Sequence, residues 1–228
     1  MTQHIPTSNH KKNARQAKNL PGRSLPILVA VGLFISLAVY LFMSFAEPGI
    51  ATAAPTIKSS STGSLSPVFT PSVRHWEPQI LTWAAQNGLD PNLVATVMQI
   101  ESCGNPYAES FAGAMGLFQV MPFHFYESDD PYDPDTNAAR GMAYLAESLA
   151  AAGGDPAYAL AGYNGGIGVI SDQQANWADE TLRYMYWGSG IYAEATTGQS
   201  DSPRLQEWYS AGGASLCANA QQVLGISE

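Results

Sequence analysis

The segment from Asp90 to Pro122 reads DPNLVATVMQIESCGNPYAESFAGAMGLFQVMP, and we interpret it as a helix followed by an irregular loop. Asp90 is a preferred N-cap residue, and the proline after it is tolerated at a first helical position. Apolar residues then recur at helical spacing, at Leu93, Val94, Val97 and Met98. Glu101 follows one turn later, so we predict that its carboxylate points to the core side of the helix. The Gly-Asn-Pro sequence at 104–106 ends the helix.

A glutamate on an apolar helix face has two interpretations. It is either a buried acid satisfied by a nearby donor, or a general acid whose pKa is raised by burial. The loop after the helix favours the second, because Gly113 and Gly116 let the backbone approach a ligand closely. The polar Gln119 lies in the same, otherwise apolar, loop.

An ordered set of residues in this segment matches a known pattern. Its members are Glu101-Ser102, Pro106, Ala108, Ser110, Gly113-Ala114, Gly116-Leu117, Gln119 and Met121-Pro122. The set resembles the SLT-type lytic transglycosylases, lysozyme-like enzymes that cut peptidoglycan. The resemblance implies that Glu101 is the catalytic acid, and that Ser110, Gln119 and Met121 line the cleft and hold the glycan.

Two later motifs extend the resemblance. The segment at 159–166, ALAGYNGG, is similar to the family motif Ala-Tyr-Asn-Ala-Gly, with glycines in place of both alanines. This implies that Tyr163 lies beside the catalytic carboxyl and that Asn164 bonds the sugar or orders its surroundings. Glu180-Thr181 and Tyr184 match a Glu-Thr-x-x-Tyr segment, which implies that Glu180 contacts an N-acetylglucosamine amide and that Tyr184 borders the cleft.

The matches run from about Trp76 to Tyr192. Beyond Tyr184 the pattern changes, and we expect the Gly-Ser-Gly sequence at 188–190 to interrupt the helix and disturb the packing of Tyr192. Predicted helices begin near Glu77, Asp90, Asn137, Pro156, Glu180, Pro203 and Ala214. With little alternation of period two, the predicted fold class is mainly α, a lysozyme-like catalytic domain at 76–228.

The N-terminal residues predict a membrane anchor. Residues 1–24 contain five Lys/Arg and no acid, and residues 25–46 carry no charge. As a helix, 22 residues span roughly 33 Å, enough for a bilayer core. The basic flank predicts a cytoplasmic tail, with the rest of the chain outside a bacterial cell membrane. The alternative is a signal peptide cleaved near the small residues 51–53, Ala-Thr-Ala.

Residues 47–75 are rich in Ser, Thr, Pro, Ala and Gly, so we predict a flexible linker between the anchor and the catalytic domain. Residues 59–228 contain four Arg, no Lys and eighteen acids, a net charge of −14. A nucleic-acid partner needs a basic surface, so we expect none. The expected partners are peptidoglycan glycan strands and, through the anchor, the membrane.

Cys103 and Cys217 both lie in the domain predicted to be outside the cell, where a disulfide can form. Two free buried thiols are the alternative. Two cysteines and four histidines offer no metal-ligand spacing, so we expect no metal and no cofactor. The acids Asp129, Asp130, Asp133 and Asp135 are interleaved with prolines and predict turns and a helix cap more than a calcium site. Packing is the expected role of the tryptophans at 83, 177, 187 and 208.

Glycosidases commonly use two carboxylates, and this sequence offers one in a suitable position. The resemblance implies that Glu101 protonates the bond between N-acetylmuramic acid and N-acetylglucosamine. Glu101 then acts as a base, and a 1,6-anhydro product forms. Two alternatives remain open. One is a hydrolase of the goose-type lysozyme kind that uses a carboxylate from 129–135, and the other is a membrane-tethered glycan-binding module without activity.

Overall fold

The computed structural model describes residues 63–226 of the 228-residue chain. The predicted tail at 1–24, the predicted anchor at 25–46 and the first part of the predicted linker lie outside this range. Between residues 63 and 226, no helix combines the length and the apolar character needed to cross a membrane. The tail and the anchor stay predictions.

Eight α-helices dominate the described residues, and isolated bridges at Glu109–Met115 and Met115–Val120 are the β pairings found there. The helices are α1 (Pro71–Arg74), α2 (Glu77–Asn87), α3 (Pro91–Glu101), α4 (Pro134–Ala151), α5 (Pro156–Gly165), α6 (Asp179–Ala195), α7 (Pro203–Trp208) and α8 (Ala214–Leu224). Short 3-10 turns span Pro122–His124, Ile167–Ser171 and Gln174–Asn176, and a π turn spans Tyr209–Gly213. The prediction of a mainly α fold is confirmed.

Proline and a short polar cap define the start of several helices. Asp90, Asp133 and Asp155 each precede a proline and accept a hydrogen bond from a first-turn backbone N–H, at 2.8, 2.9 and 2.8 Å. Such caps satisfy N–H groups that have no partner within the helix. The helix predicted from residue 137 therefore begins earlier, at Pro134, and the cap predicted there is confirmed.

Helix α3 is enclosed on every side, since all its residues from Pro91 to Gln99 are buried. Helices α1, α2 and α6 pack against it. The sequence predicted one apolar face ending in Glu101. Instead, the surrounding structure covers all faces of α3, and its polar residues Asn92, Thr96 and Gln99 are buried with hydrogen-bond partners. Glu101, the last residue of α3, is half-buried and follows the fully buried part of the helix.

The predicted linker boundary at residue 75 is too late. Leu65, Val68, Phe69 and Val73 are each at most 7% exposed and belong to the core of the domain. Backbone N–H groups of this segment donate to core side chains, including that of Ser66 to Asn92 Oδ1 at 3.0 Å. These four apolar residues are too few to show a helical or strand periodicity in the sequence. Because the segment packs against α3 and α8, residues 65–73 are part of the folded domain.

Replacement of Val73 by alanine is expected to lower the free energy of unfolding by about 2 kcal/mol, because it removes two fully buried methyl groups. The same substitution at Val223, which is 40% exposed, is the control and should change stability by less than about 0.5 kcal/mol. Urea unfolding followed by circular dichroism measures both. Equal, small effects at the two sites would mean that residues 63–75 are not part of the folded domain.

The expected interruption of the helix at 188–190 is wrong, because α6 continues to Ala195. Gly188 and Gly190 are positions of close approach: a Cβ at Gly188 would lie 3.0 Å from Leu160 Cδ1, and one at Gly190 would lie 2.6 Å from Arg204 Cγ. Neighbouring elements pack directly on the helix backbone at these two points. Tyr192 accordingly packs against the core.

The disulfide between Cys103 and Cys217 is confirmed, with a Cα–Cα distance of 5.0 Å. Both cysteines are fully buried. The bond joins the residues that follow α3 to helix α8, which is the part of the chain outside the family resemblance. Below it, Gln99 Nε2 donates to both sulfur atoms, at 3.0 and 3.4 Å. Helix α8, near the C-terminus, is therefore fixed against the end of α3, the helix that carries Glu101.

Candidate active site

Glu101 is an acid whose ionisation is strongly changed by the fold. Burial raises the pKa of its carboxyl from the ordinary 4.5 to about 8. The Tyr184 hydroxyl acts in the opposite direction and lowers this pKa, whereas the negative charge of Glu180 raises it. Part of the side chain still faces solvent, although protein atoms surround the carboxyl densely. Glu101 is therefore largely protonated at neutral pH and can exchange its proton with a bound molecule.

Tyr163, on helix α5, lies beside Glu101 with its hydroxyl already in use. This hydroxyl donates a hydrogen bond to the backbone carbonyl of Phe118 at 2.7 Å. Burial, followed by the charge of Glu101, raises the pKa of Tyr163 well above its ordinary value. The phenol thus stays neutral, and the bond ties α5 to the loop at 102–122.

Tyr184 approaches Glu101 from helix α6. Its side chain is 5% exposed, and burial, followed by the charge of Glu101, raises its pKa well above the ordinary value. Among the described residues, no atom meets hydrogen-bond geometry with its hydroxyl. The Tyr184 hydroxyl therefore lowers the pKa of Glu101 as a nearby donor, although the two groups do not form a hydrogen bond in this arrangement. A small movement would let Tyr184 donate to the Glu101 carboxylate once that group loses its proton.

Asn164 and Glu180 differ in exposure: Asn164 is half-buried, whereas Glu180 is exposed. Asn164 Oδ1 accepts a hydrogen bond from Thr181 Oγ1 at 2.9 Å, which connects α5 to α6. Glu180 is exposed at the start of α6, yet close enough for its charge to act on Glu101. The structure thus brings Tyr163, Tyr184 and Glu180 to Glu101, and places Asn164 beside them through Thr181.

The loop at 102–122 is held by its own polar groups. Ser102 Oγ donates to the Leu117 carbonyl at 2.7 Å, and the Gln119 amide donates to the carbonyls of Ala108 and Gly116 at 3.1 and 3.0 Å. Gln119 adopts a positive φ of 47°, an uncommon conformation for a residue with a side chain. Its amide nitrogen therefore shapes the loop, which leaves the carbonyl oxygen for a ligand.

Of the residues predicted to line the cleft, Gln119 and Met121 share a small pocket of about 50 Å³ with Tyr163. Ser110 is not among the residues around this pocket. Its hydroxyl accepts a hydrogen bond from the Ala114 N–H at 3.0 Å and supports the loop. His124 and Tyr144 also line the pocket, and the sequence did not predict this. The aromatic run Phe-His-Phe-Tyr at 123–126 was the signal available for it.

The acids at 129–135 are each engaged separately. Asp129 forms a two-point ion pair with Arg140, at 2.7 and 3.0 Å, and this guanidinium lowers the pKa of Asp129. Asp133 caps α4, and Asp135 accepts a hydrogen bond from the Trp83 indole at 2.8 Å. No group of His, Cys, Asp or Glu between residues 63 and 226 is arranged to hold a metal ion.

The tryptophans at 83, 177 and 208 are at most 6% exposed and pack inside the domain, as expected. Trp187 is half-buried and packs against the core, with a buried indole N–H that has no partner among the described residues. A mostly apolar cavity of about 350 Å³ lies beside Asp90 and Tyr192. It is at the opposite end of α3, about 15 Å from Glu101 by helical rise, so it is separate from the site.

The carboxyl of Glu180 and that of Glu101 repel each other when both are ionised. Replacement of Glu180 by glutamine is therefore expected to lower the pKa of Glu101 from about 8. Carboxyl-carbon NMR titration of Glu101 measures the change. Asp179→Asn, an equally exposed neighbour that does not act on Glu101, is the control and should leave the titration in place. An unchanged or raised pKa in the Glu180 variant would contradict the proposed proximity.

Comparison with known proteins gives a consistent family match. Residues 78–184 match the family described as "Transglycosylase SLT domain". The chain is similar to a "Transglycosylase" of Enterobacteria phage PRD1, with 43% identity over 111 residues, covering 48% of this chain and 40% of that protein. It is also similar to a "Membrane-bound lytic murein transglycosylase C" of Actinobacillus pleuropneumoniae, with 43% identity over 49 residues, covering 22% of this chain and 13% of that protein.

A third relative is a "Membrane-bound lytic murein transglycosylase E" of Buchnera aphidicola, with 31% identity over 87 residues, covering 32% of this chain and 39% of that protein. Among solved structures, an inactive mutant of lytic transglycosylase Slt from Pseudomonas aeruginosa matches at 24% identity with a TM-score of 0.44, covering 56% of this chain and 25% of that one. The chain spans less than half the length of these relatives.

Proposed function

We propose that the protein is a peptidoglycan lytic transglycosylase, since residues 78–184 match the family described as "Transglycosylase SLT domain". The observation that supports this most directly is the half-buried Glu101 carboxyl, whose pKa of about 8 keeps it protonated at neutral pH. Its neighbour Tyr163 lines a small pocket. A carboxyl in that state suits the protonation of a glycosidic oxygen at neutral pH.

In the first step, Glu101 gives its proton to the oxygen that links C1 of N-acetylmuramic acid to C4 of N-acetylglucosamine. The C1–O bond breaks as the proton arrives, and positive charge develops at C1. The acetamido group of the same muramyl ring stabilises this charge. Glu101 is left as a carboxylate, and the nearby Tyr184 hydroxyl is the donor that would stabilise it.

In the second step, the Glu101 carboxylate takes the proton from the C6 hydroxyl of the muramyl ring, and that oxygen bonds to C1. One bond to C1 breaks and one forms, Glu101 regains its proton, and no water is consumed. The product is a 1,6-anhydro sugar. One carboxyl serves both steps because the transfers are sequential, and a pKa near 8 suits each direction of transfer at neutral pH.

The hydrolase alternative needs a second carboxylate that positions a water. The acids at 129–135 are poor candidates, because Asp129, Asp133 and Asp135 already bind Arg140, the α4 N-terminus and the Trp83 indole, respectively. Asp130 accepts a hydrogen bond from the backbone N–H of Tyr132 at 3.0 Å. The binding-module alternative does not account for Glu101, since burying an acid with a raised pKa destabilises the fold above its ordinary pKa without helping a neutral glycan to bind.

Mass spectrometry of muropeptides released from purified peptidoglycan by the full-length chain tests the proposal. Products one water lighter than the reducing-end species are expected. Reducing-end products would instead favour the hydrolase, and glycan binding without release would favour the binding module.

We also propose that residues 25–46 anchor the protein in the cell membrane as a single span, with the SLT domain outside. The uncharged run and its basic N-terminal flank support this, as do the two relatives named membrane-bound. The buried disulfide is typical of an oxidising compartment. Resistance of the protein to carbonate extraction from membranes is expected. Release as a fragment lacking residues 1–53 would show that a signal peptide is cleaved instead.

A further inference from the structure

Aromatic exposure is concentrated in residues 102–133, the segment that connects α3 to α4. Of the six large apolar side chains exposed in the described range, four lie in this segment: Tyr107, Phe111, Phe123 and Tyr126. Phe123 is 75% exposed, although burying such a ring would stabilise the protein by about 1.5–3 kcal/mol. Exposed apolar surface, where it is contiguous, marks binding sites in soluble proteins.

A row of aromatic rings leads from Phe123 into the candidate active site. The ring centroids of Phe123 and His124 are 4.6 Å apart, those of His124 and Tyr144 are 4.7 Å apart, and those of Tyr144 and Tyr163 are 5.7 Å apart. Pro122 starts the tight turn that presents Phe123 and His124, and α4 supplies Tyr144. The inner end of the row is fixed by the bond from Tyr163 to the Phe118 carbonyl.

The middle of the row offers polar groups as well as apolar faces. Neither the His124 ring nitrogens nor the Tyr144 hydroxyl forms a hydrogen bond to any described residue, and both side chains are part-exposed. They line the pocket of about 50 Å³ that also contains Gln119. A single water needs about 10–15 Å³, so the pocket accommodates a substituent of about three or four heavy atoms.

We propose that Phe123, His124 and Tyr144 form an aromatic platform that binds a sugar ring of the glycan strand next to the bond being cut. This inference rests on the proposed function. Sugar rings present apolar C–H faces edged by hydroxyl groups, which suits rings with exposed faces and unused polar atoms. The small pocket would receive a substituent of that sugar. Phe123 and His124 therefore determine affinity for the strand and not the chemical step.

A glycan strand fits this surface better than a membrane does. The row ends at Tyr163, which lines the small pocket and lies close to Glu101, where the strand is expected to bind. Residues 59–228 have a net charge of −14, which opposes contact of the domain with anionic lipid. The nearest cation, Arg140, is already paired with Asp129 and stacked 3.9 Å above the Tyr126 ring.

Kinetics with the full-length chain tests the platform. Phe123→Ala and His124→Ala are each expected to raise KM for soluble glycan strands about tenfold while changing kcat less than about twofold, since the contact is made equally in the ground and transition states. Val223→Ala, an exposed apolar residue on α8, is the control and should leave both constants unchanged. His124→Phe, which keeps a ring, should recover part of the affinity.

Binding to the same chain carrying Glu101→Gln separates this inference from the proposed function. Calorimetry with soluble glycan strands should give a dissociation constant about tenfold weaker when Phe123→Ala is added. If the wild-type chain cleaves peptidoglycan but both alanine variants keep the wild-type KM, the platform is wrong and the function stands. If Phe123→Ala instead reduces binding to anionic vesicles and leaves glycan binding unchanged, the surface is a lipid contact and the platform is overturned.

Discussion

Replacement of Glu101 by glutamine is expected to reduce the rate of glycan cleavage by at least about 1000-fold, with KM or strand affinity nearly unchanged. Glutamine keeps the shape of the side chain and its contacts with Tyr163 and Tyr184, but it cannot give up or regain a proton. Release of muropeptides over time, separated by liquid chromatography, measures the rate. Glu147→Gln makes the same chemical change at an exposed acid of α4 and should retain full activity.

The pH dependence of stability shows whether the Glu101→Gln variant is folded. Because the pKa of Glu101 is about 8 in the folded protein and 4.5 ordinarily, the unfolded chain releases this proton more readily. The wild type therefore loses stability as pH rises from about 4.5 to 8, while Glu101→Gln does not. The variant should have the higher Tm at pH 8 and a similar Tm at pH 4. A fully active variant, or one with a Tm far below that of the wild type at both pH values, would contradict the role assigned to Glu101.

Loss of the disulfide is expected to have the largest effect on stability. Replacing Cys103 and Cys217 together by alanine should lower the free energy of unfolding by about 2–5 kcal/mol, since the bond closes a loop with a sequence separation of 114. Urea unfolding under non-reducing conditions measures the change. The single variants should each lose about as much as the double variant, because either one removes the whole bond.

The position of the disulfide predicts a second consequence. Cys103 lies two residues after Glu101 and has a positive φ of 51°, so the bond holds an uncommon backbone conformation next to the carboxyl. The double variant should therefore lose activity at temperatures where it is still folded. If wild type and double variant unfold at the same urea concentration, the disulfide does not stabilise the domain and α8 is held by packing alone.

Much of the local structure could be predicted because neighbouring residues determine it. An aspartate before a proline at 90–91 and 155–156 marks two helix starts that were predicted, and glycine ends α2 in a left-handed conformation at Gly88. The same pair at 133–134 begins α4 three residues before the predicted start. The spacing of apolar residues before Glu101 identified the helix that carries the acid. Even the direction of its pKa shift followed from that spacing, since an acid on an apolar face is desolvated.

Other features could not be predicted, because their partners are distant in the sequence. Composition indicated a linker up to residue 75, yet Phe69 and Val73 are buried against helices that lie far along the chain. The glycines of α6 indicated an interruption, but they are required where Leu160 and Arg204 approach the helix. In both cases tertiary packing overrides a local preference of a few tenths to about 1 kcal/mol per residue.

By itself, the sequence indicated most of the helices, the motifs and Glu101 as the candidate acid. Only the tertiary structure decided what surrounds Glu101. Its surroundings include the exposed Glu180, the row of rings that begins at Phe123, and the Tyr184 hydroxyl, which has no hydrogen-bond partner between residues 63 and 226. A helix start depends on contacts within one turn, which neighbouring residues supply. The pKa of Glu101 depends on how completely other helices exclude water from it, and that exclusion exists only once α3 is enclosed.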